Sequence, residues 1–382
     1  MLDYRFKVPQ NIEFGLGSLA KLPELLAENS SDHVFLISDR GLEGIGVVQK
    51  VLDIIDAAGI ACTAYLDVEP NPTVEIVEEA AEAYRASGAT SIVALGGGSP
   101  IDVSKAVGVL ATFGGRITDY EGVGKVPGRV VPTIAIPTTA GTGSEATASA
   151  VITDTARSYK FSVISYEMLP TYALLDPALI MTAPASIAAS CGIDAFIHAM
   201  EAYVSRSASP FSDAMAEKAM ELIGANLRRF VACRQDPDAA SAMMAGSNFA
   251  GIAFAWARLG NVHAMSHPVS AYFHVPHGVA NAVLLPTVAE YNALTDNGRY
   301  EVIYNYLHQG SGDRGGFEPQ MLVDEIRSLC RDLSIPSSLS EVGVTADKIP
   351  AMAEDAMKSP NVVANPRQTG LRDMVALYEK AM

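Results

Sequence analysis

The first third of the chain alternates short apolar runs with amphipathic helical patterns. HVFLIS (33–38), CTAYLD (62–67) and SIVALG (91–96) have the length and β-branched content of strands. Between them, GVVQKVLDIIDAAG (46–59) and the stretch 73–87 repeat apolar residues at helical spacing. Strands that alternate with helices predict a parallel sheet covered by helices.

The pattern changes twice further along the chain. After the strand TIAIP (133–137), the segments SAVITD and KFSVIS flank a turn-like TARS and predict a β-hairpin. Beyond about Thr182 the strand signals vanish, and alanine- and methionine-rich stretches with helical periodicity continue to the end. We therefore expect an α/β domain over residues 1–180 and an all-helical domain over residues 181–382.

Composition narrows the class of protein. The 382 residues exceed what one hydrophobic core usually organises, so two domains are expected, and 49% apolar with 18% charged residues is typical of a packed globular chain. The 27 basic and 43 acidic residues give a formal charge of −16, which disfavours nucleic acid and anionic membranes as partners.

Cellular location is indicated by what the sequence lacks. There is no apolar run near bilayer length, and the first residues have no signal-peptide pattern. The four cysteines, Cys62, Cys191, Cys233 and Cys330, are far apart, which favours free thiols over a disulfide framework. We expect a cytoplasmic protein.

A candidate phosphate-binding turn lies in LGGGSPIDVSKAV (95–107). Three glycines, including Gly97 and Gly98, follow a predicted strand; Ser99 is then expected to cap a helix whose first residue is Pro100. The free N–H groups and positive dipole of such a helix start bind phosphate. A sharp strand-to-helix turn without a ligand is the alternative, since the spacing is not that of the dinucleotide fingerprint.

Two further features support a dinucleotide site. Asp39 ends the strand HVFLIS, where a carboxylate accepts from a ribose hydroxyl and repels a 2′-phosphate, so NAD is favoured over NADP. The loop PTTAGTGSEAT (137–147) follows another strand and offers the hydroxyls of Thr138, Thr139, Thr142 and Ser144. A plain crossover loop is the alternative interpretation of this second segment.

Histidines are concentrated in VHAMSHPVSAYFHVPHG (262–278), which holds four of the seven. His263 and His267 are four residues apart in a helical context, so they share one helix face. Asp194 and His198 repeat this spacing on an earlier predicted helix.

His277 follows a proline at a predicted helix start, so two helices and one helix start offer ligands together. A lone histidine on an apolar face is more often a core residue, which is our interpretation of His33 and His274. The two spaced pairs and the helix start instead favour convergence on a single divalent ion. One carboxylate and three imidazoles suit Fe(II) or Zn(II) and leave a position open for a substrate oxygen.

Taken together, these motifs resemble those of the iron-containing alcohol dehydrogenases. The likeness runs over nearly the whole chain through EPNPT, GGGSPIDVSKA, PTTAGTGSE, GIDAFIHAMEAYVS and HAMSHPVSAYFHVPHGVANAVLLP, in the family's order. It implies an N-terminal α/β dinucleotide-binding domain, an all-α metal-binding domain and a substrate cleft between them. Dehydroquinate synthases share this architecture but not this combination of motifs.

The resemblance also implies residue roles. The family's metal ligands fall on Asp194, His198, His263 and His277, and all four residue types match; the metal-free maleylacetate reductases are therefore disfavoured. His267 falls where the family keeps an imidazole in a suggested proton path. The implied cofactor contacts are Asp39, Asn71, Gly97, Gly98, Ser99, Thr138, Thr139, Thr142, Lys160 and Leu179.

The expected activity is reversible oxidation of a small primary alcohol or diol to its aldehyde with NAD and Fe(II), or Zn(II), by a homodimer or a higher assembly of dimers. Trp256 and Arg258 do not decide the substrate class. Arg258 either binds an anionic substrate or forms an ion pair with a nearby carboxylate, and we favour the ion pair. A metal-dependent hydrolase or lyase and a catalytically idle NAD-binding protein are the alternatives from other classes.

Overall fold

A computed structural model describes residues 11–157, 159–308 and 316–382 of the chain. The chain divides into two compact units. Of the described residues, those of 11–139 and 143–183 form an α/β unit, and those of 140–142 and from 184 onward form a helical unit. The predicted domain boundary after residue 180 lies three residues before this division.

The described part of the α/β unit contains nine strands and six α-helices. The strands are β1 (Asn11–Phe14), β2 (His33–Ile37), β3 (Ala61–Tyr65), β4 (Ser91–Gly96), β5 (Gly122–Val123), β6 (Thr133–Pro137), β7 (Ser149–Asp154), β8 (Tyr159–Ile164) and β9 (Tyr172–Leu175). The helices are α1 (Leu22–Glu28), α2 (Arg40–Gly44), α3 (Val47–Ala57), α4 (Val74–Ser87), α5 (Gly98–Phe113) and α6 (Pro177–Ile180).

Six strands form a parallel sheet in the order β1-β9-β6-β4-β2-β3, as the alternation of strand and helix patterns predicts. Its central strands are apolar on both faces because helices cover both sides. In β2, Phe35 and Ile37 pack into one hydrophobic cluster, whereas Val34 and Leu36 pack into the other. The predicted hairpin is confirmed, since β7 and β8 pair antiparallel in a small second sheet of order β5-β8-β7.

Local signals set the helices of this unit. In α3 the residues Val47, Val48, Val51 and Ile55 are buried, which gives one apolar stripe. Thr73 caps α4 by accepting from the N–H of Ile76. These elements place the carboxyl ends of β2, β4 and β6 side by side, because the three strands are parallel neighbours in the sheet.

The described part of the helical unit has no strand, in agreement with the predicted all-helical domain. Its helices are α7 (Ala185–Val204), α8 (Pro210–Ala232), α9 (Pro237–Ala257), α10 (Asn261–Phe273), α11 (His277–Asn292), α12 (Arg299–Leu307), α13 (Pro319–Asp332), α14 (Ile349–Met357), α15 (Asn361–Ala364) and α16 (Leu371–Ala381). Helices α7, α8 and α9 pack against one another, and α11 packs against both α7 and α10. Across the described residues, every helix is too short or too polar to cross a membrane.

Candidate metal centre and cofactor loops

Three helices of the helical unit bring the predicted metal ligands together. Asp194 lies on α7, His263 lies two residues into α10, and His277 is the first residue of α11, as its position after Pro276 predicts. Gly278 permits the close approach of α11 to α7, because a Cβ at this position would lie 2.2 Å from the carbonyl oxygen of Ser190. The sequence Pro-His-Gly therefore places an imidazole beside α7.

The ligand atoms of Asp194, His263 and His277 all lie within 4.8 Å of one another. The position of the Asn281 side-chain amide shows that the lone pairs of these three atoms point to one and the same point in space. Its Nδ2 lies 2.6 Å from Asp194 Oδ1, 3.1 Å from His263 Nε2 and 3.1 Å from His277 Nε2. An amide NH₂ group only donates, so all three atoms face it as acceptors. A divalent cation needs this same convergence of acceptors.

The charges of the site also fit a cation. Asp194 is 3% exposed and Glu201 is 5% exposed, and in the described part of the chain their only basic salt-bridge partner is His263. Burial raises the pKa of Asp194 above its usual value and that of Glu201 to about 7, and burial lowers the pKa of His263 well below its usual range. Two buried carboxylates beside a neutral imidazole are costly unless a cation compensates them.

His198, the fourth predicted ligand, lies beside this cluster. Its ring stacks on that of His263 with centroids 4.5 Å apart, and on the other side on that of Phe254, also at 4.5 Å. Its Nδ1 lies 3.2 Å from the carbonyl oxygen of Gly141. His198 is not one of the three residues whose ligand atoms group together, so its role as a ligand stays a prediction.

The other histidines are spread more widely. The ring centroid of His267 lies 5.4 Å from that of His277, so the predicted proton-path residue is next to the metal cluster. His274 is exposed and ends α10 in a left-handed conformation, so its interpretation as a core residue was wrong; His33 is half-buried, and its Nε2 lies 2.9 Å from Thr63 Oγ1. Neither of these two belongs to the metal group of the described residues.

Sequence reasoning missed two residues of the centre. Asn281 follows His277 by four residues on α11, and Glu201 follows His198 by three residues on α7. Both spacings place the side chain on the face that carries the ligand. The helical spacing that identified the ligands therefore contained these two residues as well, but neither an amide nor a lone carboxylate was recognised as part of a metal pattern.

Predicted cofactor residues of the α/β unit follow three neighbouring strands. Asp39 follows β2, Gly97 follows β4 and Thr138 follows β6, and the N–H of Thr138 donates to the carbonyl oxygen of Gly96 at 3.0 Å. The carboxyl ends of parallel strands form the ligand-binding edge of such a sheet. Asp39 Oδ1 accepts from the N–H of Leu42 and caps α2, so the second carboxylate oxygen is not used by this cap.

The start of α5 differs from the prediction. The helix begins at Gly98 with Gly97 as its N-cap, and Ser99 and Pro100 lie within its first turn. The expected cap by Ser99 was wrong because Gly96, at φ +152°, turns the chain earlier; a Cβ there would lie 2.5 Å from Pro100 Cγ. Pro100 is still tolerated because the first four N–H groups of a helix have no partner within it. The candidate phosphate-binding turn therefore offers backbone N–H groups and no side-chain cap.

The second loop is tied to α5 by Lys105, another residue that the sequence reasoning missed. Its ammonium group is buried and donates to Ser144 Oγ at 2.7 Å, to Thr147 Oγ1 at 3.1 Å and to the carbonyl oxygen of Ser149 at 2.8 Å. Burial lowers the pKa of Lys105, and the nearby carboxylate of Asp102 opposes this shift. These bonds satisfy all three N–H donors, so Lys105 orders the loop.

The remaining predicted cofactor contacts are in different environments. Lys160 Nζ donates to Asn71 Oδ1 at 2.6 Å, and Asn71 has a left-handed backbone with φ +57°. Thr139 approaches the first loop, since a Cβ on Gly97 would lie 3.3 Å from its Oγ1. Leu179 is 3% exposed and its side chain is part of the hydrophobic core. Thr142 belongs to the segment that clusters with the helical unit.

The two predicted substrate residues lie at the end of α9. Trp256 is half-buried, and Arg258 is exposed at the C-cap with φ +64°. The expected ion pair of Arg258 was wrong for the part of the chain that the structure describes, because no carboxylate there forms a salt bridge with it. The positive φ of Arg258 turns the chain at the end of α9.

Comparison with known proteins identifies the family. The family model described as "Iron-containing alcohol dehydrogenase" matches residues 9–177. The family model described as "Fe-containing alcohol dehydrogenase family, C-terminal" matches residues 188–382. The chain is 38% identical to lactaldehyde reductase of Escherichia coli (strain K12), covering 96% of this chain and 97% of that one. It is 36% identical to 1,3-propanediol dehydrogenase of Citrobacter freundii, covering 100% and 99%.

A crystal structure of a 1,3-propanediol oxidoreductase covers 100% of both chains at 35% identity with a TM-score of 0.96. The two family matches, the fold and the full-length relatives therefore all indicate the same family. The chain belongs to the iron-containing alcohol dehydrogenase family, a family of NAD-dependent oxidoreductases.

Proposed function

We propose that the protein interconverts a small primary alcohol or diol and its aldehyde by NAD-linked hydride transfer at a divalent metal. The observation that carries this proposal is the convergence of Asp194 Oδ1, His263 Nε2 and His277 Nε2 on one amide nitrogen. Full-length relatives named lactaldehyde reductase and 1,3-propanediol dehydrogenase support small neutral substrates.

Asp194, His263 and His277 would hold the metal, with His198 as the fourth ligand. A set of one carboxylate and imidazoles without sulfur suits Fe(II), and Zn(II) accepts the same donors. When bound, the metal supplies a Lewis acid for the substrate oxygen and NAD supplies or accepts the hydride. The helices keep Asp194, His198 and His263 buried, which strengthens their interaction with charge.

His267 would carry the proton that the hydroxyl loses. Its ring lies beside that of His277, and an imidazole titrates near neutral pH, which suits transfer in both directions. Replacing His267 by alanine should lower turnover by roughly 10²-fold, a usual contribution of general acid–base catalysis, while the bound metal per chain stays unchanged. A loss of metal would instead make His267 a ligand.

Arg258 supports a second substrate class. It is exposed at a turn and, in the described part of the chain, no carboxylate neutralises it, so an anionic hydroxy acid or a sulfo- or phospho-aldehyde would find a free guanidinium. Trp256, two residues earlier, would line the same region. We favour neutral substrates because the names of both full-length relatives denote neutral compounds.

The test is NADH formation by metal-stripped protein that is reloaded without oxygen with ferrous iron or zinc. Short alcohols, diols and hydroxy acids are compared, with NADP in place of NAD as the control. Metal-dependent oxidation of neutral alcohols or diols is expected. Activity confined to anionic substrates would indicate that Arg258 binds the negative charge of the substrate. Turnover without nicotinamide would indicate a hydrolase or lyase, and cofactor binding without turnover would indicate an idle NAD-binding protein.

Assembly is also part of the proposal: a homodimer or a larger assembly of dimers, as in the family that the motifs resemble. Light scattering of the metal-loaded protein at several concentrations measures the mass directly. A monomer of 40.3 kDa at all concentrations would contradict this part of the proposal without affecting the rest.

A further inference from the structure

Glu201 is a buried carboxylate that touches a metal ligand but is not one of the converging ligands. It lies on α7, seven residues after Asp194 and three after His198, so it extends the same helix face. Its Oε2 lies 2.6 Å from His263 Nδ1, and its Oε1 accepts from the N–H of Val262 at 2.7 Å. Both carboxylate oxygens are therefore committed to the start of α10.

A glycine at the start of α10 leaves room for this carboxylate. Gly260 is the N-cap, and a Cβ there would lie 2.9 Å from Glu201 Oε1. The neighbouring N–H, that of Asn261, donates to Asn365 Oδ1 at 3.2 Å. The carboxylate therefore lies against N–H groups that have no partner within the helix, at its positive end, where a negative charge is stabilised.

This geometry determines which nitrogen of His263 carries the proton. Its Nε2 points with Asp194 Oδ1 and His277 Nε2 to the common place of the metal cluster, so this nitrogen must offer a lone pair. In a neutral imidazole the proton then lies on Nδ1, the nitrogen that faces Glu201. A carboxylate accepts that hydrogen bond and cannot compete by donating one.

We propose that Glu201 is a positioning residue for the metal: it holds His263 in the Nδ1–H tautomer and directs Nε2 to the cation. This inference rests on the proposed metal centre. Carboxylates that accept from a ligating imidazole orient the ring and raise its basicity, and their removal usually weakens metal binding by about 10- to 100-fold. Capping of α10 through Val262 is the other role that these contacts allow.

Glutamine separates the two roles because it has the shape of glutamate but only one acceptor oxygen. In Glu201→Gln, either Val262 N–H or His263 Nδ1 faces an NH₂ group. If the NH₂ group faces His263, the imidazole must accept at Nδ1 and carry its proton on Nε2, where it blocks the metal. If it faces Val262, α10 loses its cap and the tautomer is preserved.

The experiment measures zinc affinity of the full chain by competition with a chelator, together with the melting temperature of the metal-free protein. Glu201→Gln should bind zinc about 10- to 100-fold more weakly, with the metal-free protein still folded. Asp236→Asn is the matched control, because Asp236 also caps a helix, α9, by accepting from two backbone N–H groups, but it lies outside the metal group. Its zinc affinity should equal that of the wild type.

An affinity of Glu201→Gln within about twofold of the wild type, with an unchanged melting temperature, would overturn the proposal, because the NH₂ group then faces His263 without weakening metal binding. If Glu201→Gln does not fold, or if only its melting temperature falls because the NH₂ group faces Val262, ¹⁵N spectra of histidine-labelled wild-type protein with zinc decide, because His263 must show a protonated Nδ1. An unprotonated Nδ1 refutes the inference. If the wild type binds neither zinc nor iron, the proposed metal centre itself fails, which is a distinct result.

Discussion

The two units build their candidate sites from different materials. The metal centre uses charged and aromatic side chains on helices, whereas the cofactor loops use backbone N–H groups where strands turn into helices. A site made of side chains is damaged when atoms are removed. A site made of backbone is damaged when atoms are added, since the glycine positions leave space that a methyl group would fill. This difference predicts opposite sensitivities to mutation.

Removal of a metal ligand should have the largest effect. In His277→Ala, the Lewis acid is lost together with several kcal/mol of transition-state stabilisation, so kcat/KM should fall by roughly 10³-fold or more. The measurements are bound metal per chain and the rate of NADH formation. The control is His274→Asn, since His274 is exposed and asparagine tolerates its left-handed backbone. Full activity of His277→Ala would show that the side chains of the metal cluster are not needed for the reaction.

A substitution of His198 tests whether this residue contributes to the metal cluster by stacking of its ring or by binding the metal. In His198→Phe, an aromatic ring still lies between Phe254 and His263, but no nitrogen remains to bind a metal. If His198 is the fourth ligand, zinc affinity should fall by more than about tenfold, because one of four donors is missing. Chelator competition gives the affinity, and a melting curve reports the packing. Unchanged affinity would restrict the ligand set to the three converging residues.

Sequence patterns predicted the parts of the molecule that depend on periodicity. The parallel sheet, the β7–β8 hairpin and the helices that carry Asp194, His263 and His277 are all present. What the patterns did not predict depends on contacts between distant segments. The bond between Glu201 and His263 joins residues 62 positions apart, and Lys105 bonds to a loop about 40 positions away. The start of α5 was misplaced because Gly96 turns before Ser99 is reached.

The cofactor loop should show the opposite sensitivity. In Gly97→Ala, the new methyl group meets Thr139 Oγ1 at 3.3 Å and narrows the turn, so the KM for NAD should rise roughly tenfold. Ser99→Ala, which removes a hydroxyl that caps nothing, should change the KM by only about threefold. Gly128→Ala is the control because its Cβ would make an ordinary contact of 3.6 Å. A larger effect of Ser99→Ala than of Gly97→Ala would show that side chains form this site too.

Asp39 is the charged side chain of the cofactor edge, and its expected contribution is selectivity. Asp39→Asn keeps an oxygen that accepts from the N–H of Leu42, so the cap of α2 survives while the negative charge is lost. Without repulsion of the 2′-phosphate, the preference for NAD over NADP should fall about tenfold. The ratio of kcat/KM for the two cofactors measures this preference, and stability to heat serves as the control. An unchanged ratio would assign Asp39 to capping alone.

Lys160 should produce the smallest effect, visible as a dependence on pH. Burial lowers the pKa of its ammonium group to about 8, so the side chain is cationic below that pH and neutral above it. A cation attracts the anionic cofactor, and the Kd for NAD should therefore rise about three- to fivefold between pH 7 and 9.5, the size expected of a partly solvated charge pair. Arginine stays charged over this range, so Lys160→Arg should bind NAD with no such change. If both proteins show the same pH profile, the titrating group lies elsewhere, and the cofactor loops depend on backbone alone.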